Sequence, residues 1–294
     1  MWWNIHLQRE RNSSMSIKDV LLPLVGDPSP AMVAAIEKCL SIASGLGARV
    51  SALAVETDIP VRPQVMLSDD LDNAAAAASL RSVSDVKGLL QAFDAAATRL
   101  EVRNEQKVMR LALAEVAPGL AREARLKDLT LLPVRAHDAR SEKLVERLIF
   151  YSGRPILLCP EEFTDRLTAR FDRIVIAWDH SAPAARAVAE ALPLLQAAAS
   201  VHIITATDRK TPAELESGAA LVGHLAEHGI TAMFETVKID GSSVGKVFEA
   251  YVNANAIELL VMGAYRHSRL NEYVWGGASS TIIARPPCWV MMSH

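Results

Sequence analysis

The 294-residue chain has only three cysteines, Cys39, Cys159 and Cys288. They are scattered, with no CxxC pair and no His/Cys cluster at metal-ligand spacing, so neither a disulfide framework nor a zinc site is indicated. Free, mostly buried thiols in a reducing cytoplasm are expected. The chain also lacks any apolar run of bilayer-spanning length, and no cleavable leader pattern follows from MWWNIHLQRERNSS, so no membrane partner is expected and the reading is cytoplasmic. Neither sign of charge dominates: 31 Lys and Arg stand against 34 Asp and Glu, a net charge of −3, which implies no nucleic-acid partner. There is no Walker motif, no SGGxDS-like loop and no G-x-G-x-x-G. His180 and His267 have no carboxylate or cysteine at triad or metal spacing, which makes them polar loop residues rather than catalytic bases.

What the chain does have is the same unit twice. KDVLLPLVGDPSPAMVAAIEKCLSIASGLGARVSALAV and DRIVIAWDHSAPAARAVAEALPLLQAAASVHIITA each run apolar strand, Ser/Pro turn, Ala-rich helix and apolar strand. Lys18 aligns with Asp172. In the first copy Ser29 is the predicted N-cap with Pro30 at the first helical position; Val33, Ile36, Leu40 and Ala43 mark one face, and Gly45 and Gly47 end the helix. In the second, Ser181 is the cap and Val188, Leu192 and Leu195 form the stripe. A length of 294 residues suits two such domains.

The second copy continues with a predicted helix over 212–228 closed by Gly229 and a strand over 231–237. A helix capped by Ser243 and reaching Asn255 follows, then a buried strand IELLVMG, a helix GGASSTIIA and a last strand CWVMMS. Near-continuous apolar strands alternating with helices indicate parallel strands covered on both faces. The first half is less regular, with an Ala- and Asp-rich insertion over 60–80 and a helical stretch running to Thr98; its DLTLLPV aligns with ELLVMGA, and RPILLCP with PCWVMM. The fold class is therefore α/β, with two tandem Rossmann-like domains, each a five-stranded parallel open sheet flanked by helices. The expected division is a disordered extension over 1–14 (Met15 being the start), a first domain over 15–160, a linker over 161–170 and a second domain over 171–294. Trp2 and Trp3 leave a docking arm as the alternative for the extension.

In an open α/β sheet, ligands bind beyond the carboxyl ends of the strands, where the strand order reverses. Asp179 ends the first strand of the second half and Gly263 ends its fourth. A carboxylate there can accept hydrogen bonds from an amino group or a ribose hydroxyl. Backbone amides at Gly276 and Gly277, with the hydroxyls of Ser279, Ser280 and Thr281, can hold phosphates. Each residue has a plainer role: Asp179 as a helix cap, Gly263 as a turn, the glycine pair as a tight helix entry, and the hydroxyls as first-turn residues. Their joint occurrence at the ends of the right elements points to a nucleotide-shaped site. Trp178, Tyr265 and Trp275 read as packing residues, and Met291–Met292 as core or interface.

DRIVIAWDHSAPAARAV and MGAYRHSRLNEYVWGGASSTI resemble the universal stress protein family in its tandem form, and the resemblance extends from about Met15 to His294. It implies the adenine nucleotide alpha hydrolase-like version of the Rossmann-like fold. Nucleotide-binding members carry an acid after the first strand and a loop of the form G-x2-G-x9-G-[ST] after the fourth. Asp179, Gly263 and Gly276 match this pattern. Arg266 replaces the second glycine, Gly277 replaces the hydroxyl residue, and His180 stands where the family has glycine. Arg266 can either fill the phosphate space or fork onto phosphate oxygens.

In the first half Val25 aligns with Asp179, and Pro133–Val134 with Gly263–Ala264; no glycine pair follows, so this half is expected to be structural. The resemblance implies ATP or AMP, with or without Mg, bound once per chain in a stress-response protein that is at most a weak, incidental ATPase. The alternative is a scaffold of the same fold, without cofactor, whose site Arg266 blocks. The resemblance further implies an intramolecular pseudo-dimer paired through the two last strands, with a homodimer of such units left open.

Overall fold

A computed structural model describes residues 16–58, 69–162, 167–208, 211–264, 266–269, 272–275 and 277–294, and of residues 58, 69–76, 266–269 and 272–275 the backbone alone. The expected 1–14 extension, Met15, Tyr265 and Gly276 lie outside the described residues.

The first half runs β1 (Asp19–Leu24), α1 (Pro30–Gly45), β2 (Arg49–Asp58), α2 (Asp69–Arg99), β3 (Asn104–Ala112), α3 (Val116–Ala124), β4 (Leu129–Val134), α4 (Ala139–Ser152) and β5 (Ile156–Pro160). The second runs β6 (Arg173–Ala177), α5 (Ala182–Ala197), β7 (Ser200–Ala206), α6 (Pro212–Glu227), β8 (Ala232–Val237), α7 (Val244–Ala254) and β9 (Leu259–Gly263). A small hairpin, β10 (Arg266–Arg269) and β11 (Glu272–Trp275), leads to α8 (Gly277–Ala284) and β12 (Trp289–Ser293).

The caps lie where the sequence puts them. The Ser29 and Ser181 hydroxyls accept from Met32 N and Ala184 N, and Ser243 accepts from Lys246 N. Two readings need correction. The Ala- and Asp-rich stretch is no separate insertion up to residue 80, because α2 already begins at Asp69; five successive alanines, 74–78, are the strongest helix formers available. Val33 faces outward at 36% exposure, and the buried face of α1 is carried by Met32, Ala35, Ile36, Cys39, Leu40, Ile42 and Ala43.

Ten strands form one sheet in the order β3-β2-β1-β4-β5-β12-β9-β6-β7-β8. All neighbours are parallel except β5 and β12, which meet antiparallel with Leu158 opposite Val290 and Ile156 opposite Met292. A core lies on each face: Ile174 and Ile176 join α1, α2, α5 and α6 on one, and Val175 and Ala177 join α3, α4, α7 and α8 on the other.

The duplication extends to hydrogen bonds. Asp128, at the start of β4, accepts from Lys18 N (2.8 Å) and Asp19 N (2.9 Å). Glu258, before β9, accepts from Asp172 N (2.5 Å) and Arg173 N (3.0 Å). In both halves a carboxylate of the fourth strand thus ties down the start of the first. The register matches too, since Val20 faces Leu129 as Ile174 faces Leu259. The first ladder stops after Leu21–Thr130, whereas the second runs on to Ala177–Met262. Pro23 and Pro133 remove donors from the shorter one.

Candidate functional site

In each half the strand order reverses between the first and fourth strands, β1/β4 and β6/β9. At the second of these points Ala177 pairs with Met262, and Asp179 and Ala264 each lie two residues past that last pair. Asp179 is exposed, and its Oδ1 accepts from Ser181 N at 3.1 Å, closing the turn into α5 whose cap is Ser181 itself. His180, between them, has φ 62°. This is the conformation a glycine adopts freely, and a histidine holds it at a cost of roughly 1 kcal/mol. Trp178 is buried beneath, donating Nε1 to Ser217 Oγ at 2.8 Å, which is a packing role.

Gly263 ends β9 against the first turn of α5. A Cβ there would lie 2.5 Å from Ala184 N and 2.7 Å from Pro183 C, so close packing already demands glycine. Gly277 opens α8, and a Cβ on it would meet nothing within 4 Å. The hydroxyls diverge. Ser280 is exposed, and its Oγ donates to Gly277 O at 3.2 Å; Thr281 Oγ1 donates to the same carbonyl at 2.9 Å and its side chain lies against Gly245. Ser279 is 1% exposed.

Arg266 begins β10 and faces Trp275 across the antiparallel pair, with His267 opposite Val274, Ser268 opposite Tyr273 and Arg269 opposite Glu272. The sequence reading of one continuous phosphate loop did not contain this hairpin. Arg266 is therefore extended, a backbone state open to any residue, and the absence of glycine there carries no conformational cost. The hairpin was hard to read because its strands have four residues each and the first, RHSR, is wholly polar.

The matching crevice of the first half holds charge. Arg135, just past β4, donates Nε and Nη2 to Glu161 Oε2 at 3.2 and 3.1 Å. Its Nη2 also lies 3.4 Å from Ser29 Oγ and 3.6 Å from Asp27 Oδ1. The neighbouring Ala136 N donates to Glu162 Oε1 at 2.8 Å. Burial pushes the Glu161 carboxyl above its ordinary range, more than Arg135 draws it down, while Glu161 raises Arg135 further. The signal in the sequence was RAHD directly after LLPV, with EE directly after the last strand. Among the described residues no group of three or more His, Cys, Asp or Glu could hold a metal ion, and no helix is long and apolar enough to cross a membrane.

The sequence model of the universal stress protein family matches residues 170–294. Among solved structures, a universal stress protein from Archaeoglobus fulgidus DSM 4304 aligns with 94% of this chain and 95% of its own length, at 18% identity and a TM-score of 0.66. A protein of unknown function from Pseudomonas aeruginosa PAO1 aligns over 95% and 92% at 12% identity and a TM-score of 0.56. Comparison with curated proteins gives no match. The second half of the chain thus belongs to the universal stress protein family, and the first half repeats its fold in tandem.

Proposed function

We propose that the protein binds one adenine nucleotide, ATP or AMP, at the carboxyl ends of β6 and β9, and acts as a cytoplasmic stress-response component rather than as an enzyme. The observation that carries this reading is that the strand order reverses at β6/β9 of a universal stress protein domain, with Asp179 following β6 and Gly263 ending β9. Asp179 would accept from the ribose or adenine. The first turn of α8, with Gly277 and the exposed Ser280, would face the phosphates, and in this reading Gly276 contributes its N–H and Arg266 a guanidinium. Ser279 and Thr281 contribute less in this reading, because one is buried and the other is turned onto Gly245. The proposed division is a first domain over 15–160, a connection over 161–170 and a second domain over 171–294, the two acting as a pseudo-dimer through β5 and β12.

A second reading, a scaffold that works by protein contact, is favoured by the hairpin. Backbone groups of residues 266–269 are paired with residues 272–275 instead of being turned toward a ligand. Titration calorimetry of protein freed of carried-over nucleotide, with ATP, ADP and AMP, separates the two. One site per chain that is lost in Asp179→Ala supports the sensor. Silence in the native protein, with binding restored by Arg266→Gly, supports a blocked scaffold.

A further inference from the structure

The first half lacks the glycine loop, yet its crevice is not empty of binding chemistry. Two donors converge there, the Arg135 guanidinium and the Ala136 backbone N–H, beside the Ser29 hydroxyl at the start of α1, which accepts from Arg135 Nη2 and Met32 N. A fork-shaped cation beside a loop amide suits an oxyanion. Both donors are taken by carboxylates from the chain that leads from β5 toward the second half. Glu161 Oε2 sits on both Nε and Nη2 of Arg135, and Glu162 Oε1 sits on Ala136 N. Glu161 N is itself fixed to Val134 O at 2.9 Å, so the segment continues alongside β4 and is held in place.

We propose that Glu161 and Glu162 act as a tethered anionic ligand masking a phosphate-type oxyanion site in the first half, formed by Arg135 and Ala136 N. The Glu161 side chain is 5% exposed while that of Arg135 is 47% exposed, so the carboxylate is enclosed and the guanidinium keeps an open side from which an anion can approach. Asp27, 3.6 Å from Arg135, lies at the rim and weakens the site for highly charged anions. An internal carboxylate wins over dilute free phosphate because it is already positioned and loses no translational freedom on docking. The same contacts fasten Glu161 and Glu162 to the β4–α4 loop, so filling the site from solution would displace their side chains.

The inference is independent of nucleotide binding in the second half, and the test is run in the Asp179→Ala background to keep the two apart. Inorganic phosphate is titrated calorimetrically into the full chain carrying Asp179→Ala alone, with Glu161→Gln, and with Glu161→Gln plus Glu162→Gln. The amide variants keep the side-chain shape, and circular dichroism confirms folding. The expected result is no phosphate binding in the parent, and one site per chain, at least about tenfold tighter than any parent signal, in the double variant. Adding Arg135→Ala should abolish it. No binding in a folded double variant overturns the inference, as does binding that survives Arg135→Ala or that is equally strong in the parent. If the double variant does not fold, Glu161→Gln alone decides by the same criteria, since it frees the guanidinium.

Discussion

Gly263 is the position where a ligand role and a packing role can be separated by one methyl group. The Cβ of Gly263→Ala would sit 2.5 Å from Ala184 N and 2.7 Å from Pro183 C, with Ala184 Cα at 3.0 Å. These distances fall about 1 Å short of comfortable contact, which begins near 3.5 Å. All three atoms belong to the backbone of the first turn of α5, whose cap holds them, so no side chain can swing aside. Overpacking of this kind costs about 1–3 kcal/mol. The smaller entropy of the unfolded alanine chain returns roughly 0.4–1 kcal/mol, because Gly263 is not at a positive φ. A net loss of about 1–2 kcal/mol remains, which for a chain of this size lowers Tm by about 2–8 °C. Differential scanning calorimetry of nucleotide-free protein measures it. Gly277→Ala, where a Cβ meets nothing within 4 Å, is the control and should leave Tm unchanged or slightly raised. If nucleotide-free Gly263→Ala melts with the native protein, the packing argument is wrong and the glycine serves a ligand alone.

Lys38 has its Nζ buried without a partner, at the position matching Leu192 of the second half; Lys38→Leu should stabilise by about 1–3 kcal/mol in urea unfolding. Burial raises the Asp19 carboxyl, but hydrogen bonds from Arg49 and Lys127 outweigh it, so the net position is below 3.8. Its stabilising contribution is complete above the unfolded value and is lost as pH falls below about 3.8 toward the folded one. Asp19→Asn should remove that part of the acid sensitivity, while an unchanged acid-unfolding curve would discount the cluster. Burial pushes the Cys39 and Cys288 thiols well up, and Cys159 is equally enclosed, so Ellman's reagent should find no reactive thiol in the native protein and three in denaturant.

The second half was legible almost element by element, because its caps (Ser181, Ser243), its closing Gly229 and its short apolar strands are each local signals. The long α2 was partly misread because its start was grouped with an insertion over 60–80, although the alanines at 74–78 favour helix. The β10–β11 hairpin escaped because each strand has only four residues and the first, RHSR, is wholly polar, so no alternation marks it as a strand. At the site, Asp179 and Gly263 were identifiable from their places after strands. That Gly263 answers to the α5 backbone, and that Ser279 is buried, depends on neighbours distant in sequence.

By itself, then, the sequence determined the repeat, most of the strand and helix content and the places of the two crevices, since periodicity, capping and duplication are written in local order. Only the tertiary structure decided what occupies those crevices. The pairing of β5 with β12, the seating of Glu161 on Arg135 and the extended state of Arg266 arise where the chain returns to itself, and burial and charge at such contacts depend on the partner that arrives.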